Sequence, residues 1–547
     1  MSLDKLLDMI DYSNIHRYEG FKLISLELKN NILMGKNDLF YNFIEPDDNQ
    51  KEIYTTVLIG ANGTGKSNLF RIIIELFKDL YDLKIGKVST CSVSGQFSLI
   101  YSIHGDVFEY RNSRKRREPI SNSKIDFDVV YRTSEKKPTY LFRNNELIDF
   151  KDAQIPMNIV AASIMLTDKY PFFRGSLDQY GEKIDAFPNY KYLGVRNTAQ
   201  GTSTRAYVRR TVEHIVEMKD SYGFRDALKK ATGFLEADEV IEIVYVTKNT
   251  TLFFEGDCNS TSFHRFFDSM RLRYKETNKK PPFSLDHYNK IIENTGLINE
   301  LCEFCNKLYE NKRLIDNSRL SKKFTYNIVD EDFYYLLKEE YVLIEHLRLL
   351  GLVHVPEIQI SRGDKYSLQE SSSGEYHFLS TVIGLLATVR INSLVLIDEP
   401  EISLHPNWQM KYLSFLRELF AHEEYATSHI LIATHSHFLI SDLKGDSSKI
   451  IGLKRDKGKI QTVDLPMNMD TYGWSADDVL YRVFGVRTTR NHFMEIDLRE
   501  LLHSISEQKG NKAELEVIVK RLEKVKLNRE DPLILILKKA KEYIEKL

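Results

Sequence analysis

The chain has 547 residues, 42% hydrophobic and 28% charged, an ordinary globular composition with apolar side chain enough for roughly two or three cores. Its formal net charge of -2 excludes an overall positive field that would draw in phosphate, so contacts with nucleic acid would need local basic patches. Four scattered cysteines, Cys91, Cys258, Cys302 and Cys305, exclude a disulfide framework and fit a reducing, cytoplasmic setting. The first ten residues carry acids inside their apolar stretch, unlike a signal peptide, and no apolar run approaches membrane-spanning length. Any action on a membrane would require a separate partner.

Phe21 to Leu28 reads as a first strand, and Thr55 to Ile59 as a short β-branched run ending at glycine, as a buried strand before a loop should. Leu69, Ile72, Ile73, Leu76, Phe77 and Leu80 then recur at helical spacing. Between Gln96 and Phe150 short alternating runs, with turns at His104-Gly105-Asp106 and Asn144-Asn145, predict an antiparallel sheet beside this core. Pro156 to Met165 reads as another buried strand. From Asp168 to Leu350 the pattern is charged and mostly helical, with helices expected near Ala206 to Met218, Leu285 to Leu314 and Asp330 to Leu350 and no long heptad pattern. Strands return at Ser393 to Ile397 and Ile430 to Thr434, separated by an amphipathic helix from Pro406 to His422, and a helical tail follows Leu465. There are no internal repeats. The expected organisation is an N-terminal lobe over residues 1–165, a mostly helical insertion over 166–350, a C-terminal lobe over 351–465 and a helical region over 466–547. The fold class is α/β.

Gly60-Ala61-Asn62-Gly63-Thr64-Gly65-Lys66-Ser67 fits the P-loop pattern. Its glycines let backbone N–H groups wrap a phosphate, Lys66 offsets β/γ charge, Ser67 reaches magnesium, and the loop opens a helix whose dipole favours the anion. A preceding strand and a following helix are the context this motif requires. Leu394-Val395-Leu396-Ile397-Asp398-Glu399 reads as a buried strand delivering two carboxylates, Asp398 for the magnesium shell and Glu399 to orient or deprotonate the attacking water. Taken singly, that run is also an ordinary strand followed by a polar turn.

Ser371-Ser372-Ser373-Gly374-Glu375 resembles the signature of ABC-type ATPases, although in isolation it equally describes a serine-rich helix cap. Glu401-Ile402-Ser403-Leu404-His405-Pro406 is similar to the D-loop of that family, and Ala433-Thr434-His435-Ser436 to its switch histidine. With all five elements in the family's order, the chain resembles an ABC-type P-loop ATPase head. The resemblance implies ATP and Mg2+ at Gly60, Asn62, Gly63, Thr64, Gly65, Lys66, Ser67, Asn68 and Asp398, with catalytic roles for Glu399 and His435. It also implies a head-to-tail homodimer in which Ser372, Ser373 and Gly374 of one protomer close over the γ-phosphate held by the other. No glutamine stands out as a Q-loop: Gln96 lies in the wrong type of segment, and Ser163 to Asp168 is the better positional match.

The asparagine in Gly-Ala-Asn-Gly-Thr-Gly-Lys-Ser-Asn and the turn Asp-Glu-Pro-Glu-Ile-Ser-Leu-His-Pro resemble SMC-like and OLD-like ATPases more than transporter subunits. Lys66 and Gly374 stand about three hundred positions apart, room for an inserted module of domain size. Within that branch the chain is most similar to ATPases of bacterial anti-phage systems of the Septu PtuA type, including retron-associated forms, and the stretch from Trp474 to Leu480 and on to Arg490-Asn491 adds to the likeness. That resemblance implies an HNH-type nuclease partner and, in retron versions, a reverse transcriptase with its RNA–DNA product. The alternative readings are a DNA-repair or DNA-end-processing SMC-like ATPase and an OLD-like ATPase-nuclease.

Three further features weigh less. Cys302-Glu303-Phe304-Cys305 resembles a zinc hook but sits in a continuous helical pattern, where buried thiols are expected. Arg111, Arg114, Lys115, Arg116 and Arg117 form either a phosphate-contacting loop or a solvated one. Glu495 and Asp497 lie in helix-forming sequence, and His492 after Asn491 lacks a metal-binding pattern, so an intrinsic nuclease is not expected.

Overall fold

The computed structural model describes residues 19–45, 52–88, 91–112, 139–165, 168–173, 176–177, 183–184, 186–194, 196, 204–217, 223–248, 253–276, 283–318, 321–368, 370–440, 443, 447–456, 459–463, 474, 492–507, 510–525 and 533–546. The basic positions Arg114 to Arg117 and the stretch from Ser475 to Asn491 lie outside these described residues.

Strands β1 (Lys22–Asn31) and β2 (Asn37–Asn42) form an antiparallel pair, followed by β3 (Tyr54–Gly60) and helix α1 (Lys66–Lys84). Next come β4 (Gln96–Ile103), β5 (Asp106–Arg111), β6 (Tyr140–Arg143) and β7 (Glu146–Leu147), which with β1 and β2 build a six-stranded antiparallel sheet in the order β2-β1-β4-β5-β6-β7. Its turns fall where the sequence places them: His104 and Gly105 both adopt positive φ between β4 and β5, and Asn144 and Asn145 do so between β6 and β7.

After β8 (Ile159–Ser163) and the short pair β9 (Ser176–Leu177) and β10 (Lys183–Ile184), β11 (Tyr190–Gly194) runs parallel to β8. Then follow α2 (Thr204–Glu217), α3 (Phe224–Phe234), β12 (Ile241–Val246), α4 (Ser260–Glu276), α5 (Leu285–Ile292), α6 (Thr295–Glu310), β13 (Ile315–Ser318), β14 (Ser321–Asn327) and α7 (Glu331–Leu349). The expected single helix from Leu285 to Leu314 is two, because Asn294 caps α6 with its side chain on the Leu297 N–H and interrupts the run. Sheet is also more abundant here than helical periodicity predicts. β12, β13 and β14 join β15 (Glu357–Arg362) and β16 (Asp364–Ser367) in a five-stranded antiparallel sheet ordered β13-β14-β12-β15-β16.

The chain continues with α8 (Ser373–Thr388), β17 (Leu394–Asp398), α9 (Pro406–Leu419), a single helical turn at Glu423–Ala426, β18 (His429–Thr434), β19 (Ser448–Asp456) and β20 (Lys459–Val463). They complete a seven-stranded sheet, β11-β8-β17-β18-β3-β19-β20, parallel except for its last strand. Helix α1 is buried on most of its circumference, at Leu69, Phe70, Ile72, Ile73, Ile74, Leu76 and Phe77. The reason is its place in one apolar core with residues of both the parallel and the six-stranded sheet, among them Leu26, Leu99, Leu396 and Leu431. Charges on the same helix are matched: Arg71 pairs with Glu75 and Tyr110 donates to Asp79.

Residues 1–473 form one compact unit and 474–547 a second. The second contains α10 (His492–Glu507), α11 (Lys512–Glu523) and α12 (Leu533–Ile544), packed around Leu501, Leu515, Ile518, Leu522, Leu537 and Ala540. No described helix is long and apolar enough to cross a membrane.

Candidate functional site

The site gathers at the carboxyl ends of β3, β17 and β18, three neighbours in the parallel sheet, where open α/β sheets place their ligands. β3 is built from β-branched residues, of which Thr55, Thr56, Val57 and Ile59 are buried, and it delivers Gly60 directly into the loop. Thr64 folds the loop on itself through a 2.8 Å bond from its hydroxyl to the Ala61 carbonyl. Gly65, at φ +92°, precedes α1 in a conformation that L side chains rarely adopt, and a Cβ there would stand 2.9 Å from Met34. Asn62 and Gly63 are exposed at the loop's crest, whereas Thr64 and Lys66 are buried. Asn68 donates its amide to the Leu33 carbonyl at 2.8 Å, which anchors the first turn of α1 to the β1–β2 connection.

Lys66 Nζ lies 2.9 Å from the Gly60 carbonyl and 2.6 Å from His435 Nε2. Burial pushes its ammonium down to about 8, against the pull of Glu399, Asp398 and Glu401. His435 Nε2 is also 3.1 Å from Glu399 Oε1. One ring nitrogen cannot accept from the lysine and donate to the carboxylate in the same tautomer, so when Nε2–H faces Glu399 the lysine is left with Nδ1, 3.4 Å away. The hydrogen bond from His435, helped by the charges of His435 and Lys66, holds the Glu399 carboxyl below the usual carboxylate range despite partial burial.

Asp398, the last residue of β17, stands in register with Ser163 of β8 and Ala433 of β18. Burial raises its carboxyl to about 7; the Ser67 hydroxyl, lying against it, opposes the rise. Yet neither carboxylate oxygen receives a hydrogen bond of normal geometry, nor does Glu401 Oε2. Unsatisfied buried oxygens beside a serine hydroxyl fit a hard cation, and magnesium, which keeps waters and phosphate oxygens in its shell, needs only one or two such protein ligands.

The chain turns sharply after Asp398. Glu399 adopts φ +49° and Ser403 φ +69°, strained conformations for non-glycine residues, while the Glu399 N–H is held by the Ala433 carbonyl at 2.8 Å. Two bonds that the motifs did not reveal tie this turn to the loop after β18. Glu401 Oε1 accepts from the His435 N–H at 2.6 Å, and Ser436 donates to Gln409 at 2.6 Å, whose amide in turn reaches the Leu404 carbonyl. Glu401 is legible in the sequence as part of the Glu401–Pro406 turn; its bond to the His435 backbone, 34 positions away, is not.

Ser372 caps α8, accepting from the Glu375 N–H while Glu375 reaches back to the Ser372 N–H at 3.0 Å, a complete capping box. Glu375 also pairs with Arg362 at 2.6 Å. Ser372 and Ser373 are exposed, and Gly374 is buried so closely that a Cβ would meet the Ser403 carbonyl oxygen at 2.4 Å. The structure therefore brings Lys66, Ser67, Asp398, Glu399 and His435 together, and seats the signature segment against the Glu401–Pro406 turn of the same chain. Further along α8, His377, Phe378 and Thr381 line a small cavity that also touches Ser163 and Asp398.

At the Ser163 to Asp168 segment the polar side chain at the end is an aspartate. Asp168 accepts from Tyr192 at 2.6 Å and pairs with Arg196, joining the end of β8 to that of β11. Cys302 and Cys305 are buried helix thiols on α6, with Cys258 beside them. Asp497 on α10 pairs with Arg521 at 3.0 Å. Among the described residues no group of three His, Cys, Asp or Glu side chains could hold a metal ion.

A family model described as "AAA domain, putative AbiEii toxin, Type IV TA system" matches residues 257–441, a stretch that includes α8, β17 and β18 and begins beyond the Gly60–Ser67 loop. The chain is 24% identical over 251 residues to the retron Vc95 probable ATPase of Vibrio cholerae serotype O1 biovar El Tor, covering 42% of this chain and 44% of that protein. It is 24% identical over 139 residues to the Septu protein PtuA of Bacillus thuringiensis, covering 25% of this chain and 33% of that protein. The matches thus span less than half the length of these curated relatives. Among solved structures, the Smc head domain of Pyrococcus furiosus bound to the C-terminal domain of ScpA aligns at 13% identity over 81% of this chain and 96% of that one, with a TM-score of 0.31. By the order of its motifs and by its curated relatives, the chain is similar to the ATPases of bacterial anti-phage systems, the retron-associated and Septu kinds among them.

Proposed function

We propose that this protein binds and hydrolyses ATP at the site formed by Gly60–Ser67, Asp398, Glu399 and His435. On this reading it pairs head to tail around the nucleotide and controls an associated effector nuclease. The observation that carries the reading is the convergence of a buried lysine, a histidine and a carboxylate in one chain of contacts beside Asp398, whose buried carboxylate has the Ser67 hydroxyl against it and no hydrogen bond of normal geometry. Backbone N–H groups of the loop and the N-terminus of α1 would hold the phosphates, with Lys66 against their charge. Ser67 and Asp398 would hold magnesium, which neutralises charge on the transferring group.

In this scheme a γ-phosphate draws Lys66 away from His435. The ring is then free to donate Nε2–H, towards Glu399 or towards the phosphate. Glu399, kept ionised by its neighbours, accepts a proton from the attacking water. Glu401 fixes the backbone of His435, so the turn after β17 would move with the histidine.

Glu399→Gln is the test. It is expected to lower ATP turnover by about 100-fold or more while ATP binding persists, whereas Lys66→Ala should weaken binding itself. Turnover measured by phosphate release and affinity by calorimetry separate the two; unchanged turnover in Glu399→Gln would sink the assignment. Nuclease control is tested by co-purifying the protein with its genomic neighbours and assaying DNA and RNA cleavage with and without ATP. Cleavage that ignores ATP contradicts it.

A further inference from the structure

Away from the Gly60–Ser67 loop, an open cavity of about 420 Å³ lies between the end of β12, the edge strand β13, the end of α7, the segment Val353–Glu357 and the first turn of α2. Arg205, Lys248, Arg348 and His354 line it, with Glu357 the acid among the lining residues. Arg348 is committed to Glu345, which it grips at 2.7 and 2.9 Å. Lys248 and Arg205 make no ion pair with any described residue. Val353, Val355 and Pro356 supply an apolar wall beside these cations.

The cations feel one another. His354 is held below its ordinary range by partial burial and then by the charges of Lys248 and Arg205. Gathering like charges in a concave site raises free energy unless an anion shares it, and such a site focuses its field on anions. The volume falls within the roughly 300–1,000 Å³ usual for small-ligand sites, and the cations that line it without an ion pair to a described residue are Arg205 and Lys248, not the continuous basic track that a nucleic-acid strand follows.

We propose that this cavity is a second ligand site, which takes a nucleoside phosphate with its phosphate on Arg205 and Lys248 and its base or sugar against Val353, Val355 and Pro356. The site is joined to the rest of the unit through α2: two residues beyond Arg205, the Tyr207 ring lies 6.3 Å from Tyr376 on α8.

The test uses the full chain carrying Lys66→Ala, so that failure of the P-loop reading cannot be mistaken for failure of this one. AMP and UMP are titrated by calorimetry without magnesium, alongside inorganic phosphate and a 5′-phosphorylated oligonucleotide. The expected result is saturable one-to-one binding of a nucleoside monophosphate, weakened about ten-fold or more by Lys248→Ala or Arg205→Ala and retained by Lys248→Arg. Circular dichroism of each variant confirms the fold. Absence of saturable binding overturns the proposal, as does binding indifferent to both alanine variants. Inorganic phosphate binding as tightly as AMP and UMP would also overturn it, because the apolar wall would then contribute nothing. Binding of the oligonucleotide alone would assign the cavity to nucleic acid instead.

Discussion

His429 shows how a single buried side chain binds sequence to stability. The Leu23 N–H donates to its Nδ1 at 3.1 Å, and Thr56 Oγ1, which donates to the Phe43 carbonyl, accepts from its Nε2 at 2.8 Å. The ring is therefore neutral with its proton on Nε2, and burial, with Lys22 nearby, pushes its pKa well below the ordinary value. Lys22 is itself pushed down to about 7 by burial, with its nitrogen on the Ala426 and Ser428 carbonyls. Both groups bind fewer protons folded than unfolded, so stability from the histidine is present above about 6.5 and is lost as pH falls towards its folded value. The lysine acts in the same direction, its contribution growing as pH rises above about 7. Melting temperature should thus fall between pH 8 and pH 5, with a shallower slope in His429→Gln; parallel slopes would refute the linkage.

Helix α8 illustrates what an element adds to its motif. Read from the sequence, Ser371 to Glu375 is either an ATPase signature or a helix cap; the structure shows the cap formed, with Ser372 and Ser373 exposed beyond it. The two descriptions are compatible, since the capping box commits Ser372 to Glu375 and leaves Ser373 exposed at the first turn of the helix. Phe378 on this helix stacks 4.5 Å from Phe234 of α3, so α3 is seated on α8. Gly374→Ala would push a methyl group into the Ser403 carbonyl, and the turn it strikes is already held at positive φ. We expect a loss of about 1–3 kcal/mol with a lowered melting temperature, against about 1 kcal/mol for Ser372→Ala, which removes the cap alone. Equal melting temperatures for Gly374→Ala and the parent protein would show that the turn yields freely.

At the scale of the whole molecule, Asn62 and Gly63 at the crest of the Gly60–Ser67 loop are exposed, as are Ser372 and Ser373 ahead of α8. Under the proposed head-to-tail pairing, Glu399→Gln with ATP should double its mass by light scattering. Adding Ser373→Arg should prevent this while leaving ATP binding intact; a dimer that forms regardless would place the interface elsewhere. The sequence alone located the strand, loop and helix around Gly60–Ser67, the buried strand ending at Asp398 and the antiparallel hairpins, because each is written in contiguous residues with a local physical requirement. It did not locate β12 to β16 as one sheet, whose partners lie as far apart as Ile241 and Ile360. Nor did it show that α1 would be buried nearly all round, or that Glu401 would grip the backbone of His435. Those features arise from pairings between distant segments, where register and burial are set by the whole packed core and no local pattern records the partner.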